Sequence, residues 1–397
     1  MCDADVAAEA GKPVADKLET SAQQGPQPEQ AANSAARESR RVRLEPVRHT
    51  SSAGLAHWMR QHRLSIAFTS SQSDRVCMVG AEPGGELSFH ERFFERAMGI
   101  VGNRNRIYLG GLYQIWRFEN VLPPGRVAGK IFDTCYMPRN LQFTGEVDIR
   151  ELGIQKNGKV VFVNTRYNCL AELSLTHSFR AIWKPDFISK IVPEDRCHLN
   201  GLAMMDGKPK YVSAVCQSDI IDGWRARRDN GGVIIDVETN EVVCQGLSLP
   251  HSPRWVNGRL WVLNSGTGYL GYVNFETKSF VPHTFCPGFA RGLAILGDYA
   301  IVGLSRARRE RFEGLELDQN LADKEYEAWC GVQFINLKTG NLEHWIRLDG
   351  PVTELFDLTV LPGTRCPMAI DQQGNESRSM VTFEDATGTV AGAEAIG

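Results

Sequence analysis

The chain has 397 residues, 42% of them hydrophobic and 23% charged, with a formal net charge of −3. The length fits one large repeat domain with tails, and a near-neutral balance leaves no electrostatic footprint for a nucleic-acid partner. No apolar run reaches the ~18 residues of a membrane-crossing helix, and the acidic start Met1-Cys2-Asp3-Ala4-Asp5 lacks the basic and apolar regions of a secretory signal. A cytoplasmic protein with no membrane contact is expected. Ten cysteines without a C-x-x-C pair, spread along a long chain, read as reduced, packed thiols.

Residues 1–50 are rich in Ala, Glu, Gln, Ser and Pro, too poor in large apolar side chains to repay ordering, and read as a disordered tail. Residues 51–385 read as the folded domain, and 386–397 as a second featureless tail. Leu55, Trp58 and Met59 stand at helical spacing and predict a short amphipathic helix over Gly54 to Arg63. Three strands follow, Ser65 to Thr69, Arg75 to Val79 and Glu86 to Phe89, before any inner-strand signature occurs.

That signature is clearest in His198-Leu199-Asn200-Gly201-Leu202-Ala203-Met204-Met205-Asp206-Gly207. A polar start, an aliphatic run and a Gly-containing turn recur roughly every fifty residues, as the innermost strand of a propeller blade does. The copies lie at Met98, Arg150, Asn200, Pro253, Arg291 and Phe356, which makes six. After Leu202 to Met205 come Tyr211 to Cys216, Gly232 to Val237 and Val242 to Gly246. The unit before supplies Glu151 to Ile154, Val160 to Val163, Leu170 to Leu175 and Phe179 to Trp183. The unit after supplies Arg254 to Val256, Leu260 to Leu263, Gly271 to Phe275 and Ser279 to Phe285. The last copy, Leu355 to Leu361, has no followers, whereas the three N-terminal strands lack an inner one. Closure of the last inner strand on those three removes both exposed edges. The expected fold is therefore an all-β six-bladed β-propeller of four-stranded blades.

Inner-strand starts and the loops between second and third strands ring one mouth of the channel, called the top. Aligning the copies on Gly99, Glu151, Gly201, Arg254, Gly292 and Asp357 puts Arg96, Asp148, His198, His251, Phe289 and Glu354 three positions earlier. Met98, Arg150, Asn200, Pro253, Arg291 and Phe356 fall one position earlier and share their facing. Asp148, His198 and His251 on consecutive blades have the donor types of a divalent transition-metal site. Solvated channel polarity is the plainer account of the same residues. His198 or Glu354 would serve as general base without a metal. Arg150 and Arg291 suit clamping a carboxylate or phosphate, or pairing with nearby acids. Asn200, Arg254, Asn164, Ser265 and Asp219 are the remaining candidates for substrate binding. Asn264-Ser265-Gly266-Thr267-Gly268 reads as a tight β-turn, not a phosphate nest, because no helix follows directly. Two insertions, Ile220 to Asn230 with Trp224 and Arg306 to Glu327, break the blade length at the top face, where long loops act as lids or partner surfaces. No G-x-S-x-G, Walker loop or dinucleotide fingerprint is present.

Pro193-Glu194-Asp195-Arg196-Cys197-His198-Leu199-Asn200-Gly201-Leu202-Ala203 resembles the signature of a bacterial family of six-bladed propellers with no assigned activity. Gly145-Glu146-Val147-Asp148-Ile149, Asn164-Thr165-Arg166, His251-Ser252-Pro253-Arg254-Trp255 and Tyr113-Gln114-Ile115-Trp116-Arg117-Phe118 carry the same likeness, which spans residues 60 to 385. More distantly the chain resembles the gluconolactonase, regucalcin and strictosidine synthase propellers. The lactonase likeness implies a divalent cation held by the Glu of a Glu-Ser-Pro strand, the Asn of an Asn-Gly strand, another Asn and the Asp of an Asp-Gly strand. Here those elements read His251-Ser252-Pro253, Asn200-Gly201 and Arg291-Gly292, so that shell is not preserved. Two functions follow as expectations. One is a small-molecule enzyme, hydrolase-like or lactonase-like or acting as an isomerase or lyase, at the top mouth. The other is a non-catalytic propeller that takes a protein or peptide through its insertions.

Overall fold

A computed structural model describes residues 45–372, 375–384 and 390–391. Most of both expected tails lies outside them. Six antiparallel sheets, each ordered as a meander from the axis outward, form a six-bladed β-propeller. Blades are numbered here by their inner strands: Ile100–Gly102, Ile149–Ile154, Leu199–Met205, Pro250–Val256, Phe289–Leu296 and Leu358–Pro362. The sixth pairs antiparallel with Leu64–Ser70, matching Phe68 with Leu358 and Ile66 with Val360. The three N-terminal strands and the last inner strand thus make one blade, as their sequence deficits predict.

Alternation builds the core. Residues such as Val161, Val163, Val212 and Ala214 on the second strands of blades 2 and 3 face the neighbouring blade and are fully buried. Burial of such a side chain contributes about 1.5–3 kcal/mol. Nine cysteines among the described residues are buried free thiols within these layers. Burial pushes the Cys169 and Cys286 thiols up to about 12, so they pack as small hydrophobes. No helix among the described residues is long and apolar enough to cross a membrane.

The helix Leu55–Gln61 buries Leu55, Trp58 and Met59. Trp58 meets Tyr299 and Phe334 edge-on, with centroids 4.9 and 5.3 Å apart. Two outer strands were not legible in the sequence. Arg48–Ser51 adds a fifth strand to blade 5, pairing His49 with Leu348. The expected tail therefore ends before residue 50; Val47 is buried and His49 stacks on Phe89 at 4.4 Å. Pro367–Ala369 runs parallel to the outer strand of blade 1, a pairing between segments more than two hundred residues apart.

Inner strands 2 to 5 each carry a register shift at their top end. Between Ile149 and Leu152, Leu199 and Gly201, His251 and Arg254, and Ala290 and Leu293, one extra residue is accommodated. A bulge of this kind bends the strand and re-aims side chains. Here it lets neighbours such as Arg150 and Glu151 both reach the channel, at different heights. Gly201 sits at this bend because a Cβ there would lie 2.4 Å from Pro253 Cδ on the next blade.

Candidate functional site

A funnel of about 680 Å³ opens at the top of the channel. Of the sequence candidates, Asp148, Arg150, His198, Asn200, His251, Arg291 and Glu354 line it. Both insertions fold over it. Trp224 comes from the first, while Arg308 and Phe312 come from the second. The helix Glu316–Asp323 anchors the second insertion by burying Leu317 against the Asn264–Gly268 turn. Gly268 has φ +79°, and a Cβ there would lie 2.6 Å from Leu317 Cδ1, so both turn shape and close approach require glycine.

Four candidates do not line the funnel. Asn164 closes its own turn by accepting from Tyr167 N at 3.1 Å. Ser265 donates to Ala290 O at 2.6 Å and lies 3.0 Å from His251 Nδ1, so it supports a funnel residue from behind. Asp219 accepts from Arg196 at 2.5 Å and from Ser189 N at 3.0 Å, knitting two loops together. Arg254 lies one layer deeper. Its Nη1 pairs with Glu151, its Nη2 is 4.0 Å from Asp357, and its Nε donates to Leu293 O at 2.7 Å.

That deeper layer is closed on itself. Glu151 Oε2 accepts from Leu202 N at 2.6 Å, and Asp357 accepts from Ile100 N and Leu358 N at 2.9 and 2.8 Å. Between Glu151 and Asp357 and the funnel-floor residues Arg150, Asn200, His251 and Arg291 the space is about 10 Å³. Burial, then the adjacent Glu151 carboxylate, pushes the Asp357 carboxyl up to about 7.

In the funnel wall, His198 begins the inner strand of blade 3 with φ +50°, and Asp148 has the equivalent left-handed backbone on blade 2, at +56°. Such backbone costs roughly 1–3 kcal/mol per residue and concentrates at functional sites. His198 Nδ1 lies 2.8 Å from Asp195 Oδ2, which also accepts from Trp224 Nε1 at 3.0 Å. The Trp224 and His198 rings stack, with centroids 4.1 Å apart. Burial, then the Arg150 charge, lowers the His198 pKa despite the Asp195 partner. The ring is thus neutral near pH 7, and a proton on Nδ1 facing the carboxylate leaves Nε2 as a lone pair. Sequence reading missed Asp195 as a partner. Its signal was the spacing of three to His198 within a Pro-containing turn.

Arginine dominates the remaining lining, with eight guanidiniums against four carboxylates. Arg308 is held by both oxygens of Glu354, at 2.9 and 3.0 Å, and Arg150 pairs with Asp148 at 2.9 Å. Arg291 differs. Its guanidinium lies 4.0 Å from the centre of the Phe356 ring, and no carboxylate among the described residues pairs with it. Burial, then the Arg150 charge, lowers its pKa to about 9.

The expected metal set is not assembled. Among the described residues no three His, Cys, Asp or Glu side chains converge to hold an ion. Asp148 is committed to Arg150 and to Arg96 at 3.3 Å. Both nitrogens of His251 are engaged, Nδ1 with Leu249 O at 2.8 Å and Nε2 with Asn200 at 3.1 Å. An excess of guanidinium repels a cation as well, so the residues present do not fit a divalent metal.

Residues 53–370 match the family model of a domain of unknown function, DUF4915, so the chain belongs to that family. No curated protein matches it. Among solved structures the chain is similar to one from the nidogen/laminin complex, at 10% identity, 76% of this chain, 99% of that one and TM-score 0.47. It is also similar to virginiamycin B lyase from Staphylococcus aureus, at 10% identity, 72% and 77% coverage and TM-score 0.37. A protein of unknown function from Bacteroides caccae gives 10% identity, 75% and 98% coverage and TM-score 0.36.

Proposed function

We propose that this member of the DUF4915 family is an enzyme acting on a small organic anion bound in the top funnel, with His198 as general base. The observation that carries the reading is Arg291, a half-buried guanidinium that no carboxylate among the described residues pairs with, beside a second arginine at the funnel floor. A partly desolvated charge without a counter-ion is under-satisfied, and an incoming carboxylate or phosphate offsets that cost while forming charge-assisted hydrogen bonds. The Phe356 ring touches both guanidiniums, at 4.0 Å for Arg291 and 5.5 Å for Arg150, and keeps them side by side.

The second component is the Asp195–His198 pair. A neutral imidazole oriented by a carboxylate at one nitrogen and free at the other is the arrangement of a general base. Stacking on Trp224 fixes the ring plane. The inward fold of both insertions favours a small ligand over a protein partner, because Trp224 and Phe312 face the cavity.

Calorimetric titration with phosphate, citrate and benzoate at low ionic strength tests the binding step. At least one should bind with unit stoichiometry, weaken with salt, and lose about tenfold or more in Arg291→Met. Absence of anion binding, or binding indifferent to Arg291→Met, would overturn the proposal.

A further inference from the structure

The anion reading leaves open which neutral groups the ligand carries, and Asn200 bears on that question. Its amide orientation is fixed by the protein alone. Leu249 O can only accept, so His251 Nδ1, 2.8 Å away, carries the ring proton. Burial, then Arg291 and Arg150, holds the His251 pKa well below its ordinary value, so the ring is neutral and Nε2 is a lone pair. The Asn200 atom 3.1 Å from Nε2 must therefore be the amide nitrogen, which also donates to Pro250 O at 3.2 Å. Both amide hydrogens are spent.

Oδ1 has no hydrogen-bond partner among the described residues, although Asn200 is only 3% exposed. Buried acceptors are seldom left so, and an exception calls for a group that the protein does not supply. Asn200 lines the funnel together with Arg150, Arg291 and His198. A second acceptor in the same wall, Asp195 Oδ1, is likewise without a partner. Two unsatisfied acceptors beside unsatisfied guanidinium describe a ligand that is anionic and also donates hydrogen bonds. An ammonium group would meet repulsion from the surrounding arginines, whereas a hydroxyl would not.

We infer that Asn200 is a specificity-determining residue that accepts a hydrogen bond from a hydroxyl of the bound anion, and that the ligand is a hydroxy acid or a hydroxylated phosphate ester. His251 is the positioning residue, since its Nε2 engages the amide nitrogen and so leaves Oδ1 as the group without a protein partner. The inference rests on the anion site proposed above and adds a selectivity that the site does not otherwise need.

Matched pairs separate the two ideas. The full chain is titrated calorimetrically at low salt with malate against succinate, and with glycerol 3-phosphate against propyl phosphate. In at least one pair the hydroxylated member should bind about tenfold or more tighter, because a site built for a hydroxyl rejects an analogue lacking it. Asn200→Leu should bring that pair within about twofold by weakening the hydroxylated member more than the plain anion. His251→Leu should erode the same preference, which a merely structural role would not do selectively. Equal binding of both members by the unaltered protein, with both lost in Arg291→Met, overturns the hydroxyl inference and leaves the anion site standing. A preference that survives Asn200→Leu overturns the assignment to Asn200. No binding by any of the four overturns both.

Discussion

The funnel and the layer beneath it are built from neighbouring residues of the same inner strands, yet they treat charge in opposite ways. Below, Arg254 lies between Glu151 and Asp357, these carboxylates accept from the backbone N–H groups of Leu202, Ile100 and Leu358, and almost no space is left. Above, among the described residues, Arg291 lacks a counter-ion, Asn200 Oδ1 lacks a donor, and His198 keeps one nitrogen free beside a large cavity. The lower cluster is completed by the protein and ties blades 1, 2, 3, 4, 5 and 6 across the axis. The upper one is completed by something else. Position in a polar channel therefore does not identify a ligand site; incompleteness does.

Paired substitutions test that contrast most sharply. Arg254→Met strands two buried carboxylates and should cost roughly 3–5 kcal/mol, close to the whole stability of many domains. Arg291→Met replaces a half-buried, unpaired charge with an apolar chain of similar length. It should leave the ligand-free protein at least as stable, with a gain of about 1 kcal/mol, while anion binding is lost. Urea unfolding of both variants reads the difference. Equal losses would mean that Arg291 is structural, and the distinction between layers would fail.

Much of the ring was legible because closure leaves marks in the sequence: three strands lacking an inner one, and one inner strand lacking followers. The funnel residues were legible for a related reason. Asp148, His198, His251 and Glu354 recur at one offset from a repeated Gly or charged position, and Arg150, Asn200 and Arg291 recur at another. The lower layer was legible only in Arg254, taken there for a ligand contact, because strict alternation turns Glu151 and Asp357 away from the channel. The bulges in strands 2 to 5 undo that alternation. Chemistry was the other blind spot. Two histidines and an aspartate read alike for metal or anion until their partners are known, and those partners come from Arg96, Leu249 and Asp195, which lie outside the inner-strand pattern.

Opposite pH responses give a finer contrast. Asp357 in the lower layer keeps its proton up to about 7, whereas an unfolded Asp releases it near pH 4. Between those limits the folded state holds more protons, so this group makes stability fall as pH rises. The funnel histidines act the other way. Burial lowers the pKa values of His198 and His251, so below about pH 6.5 the unfolded chain binds protons that the folded one refuses, and stability falls on acidification. Glu151→Gln should lower the Asp357 pKa and flatten the falling limb, and His198→Gln should flatten the rising one. Urea midpoints at pH 5, 6, 7 and 8 separate them, and identical profiles for both variants would dissolve the distinction.

The smallest effect concerns the wall that the first insertion supplies. Trp224 donates to Asp195 and stacks on His198, so one side chain both weakens the carboxylate as a partner and shields the ring from water. Trp224→Phe keeps an aromatic face but removes the N–H. Stability should drop by about 1 kcal/mol, the ordinary worth of such a hydrogen bond with its buried area. The more telling result is the titration of His198, followed by its imidazole proton resonances. With Asp195 released from Trp224 and water nearer the ring, the protonated form gains on both counts, and the His198 pKa should rise. A general base needs its lone pair at working pH, so activity on a bound anion should then fade at the acid end sooner than in the unaltered protein. A pKa that stays put would show that Trp224 only packs the wall, and would place the control of His198 with Arg150, the strongest charge acting on it.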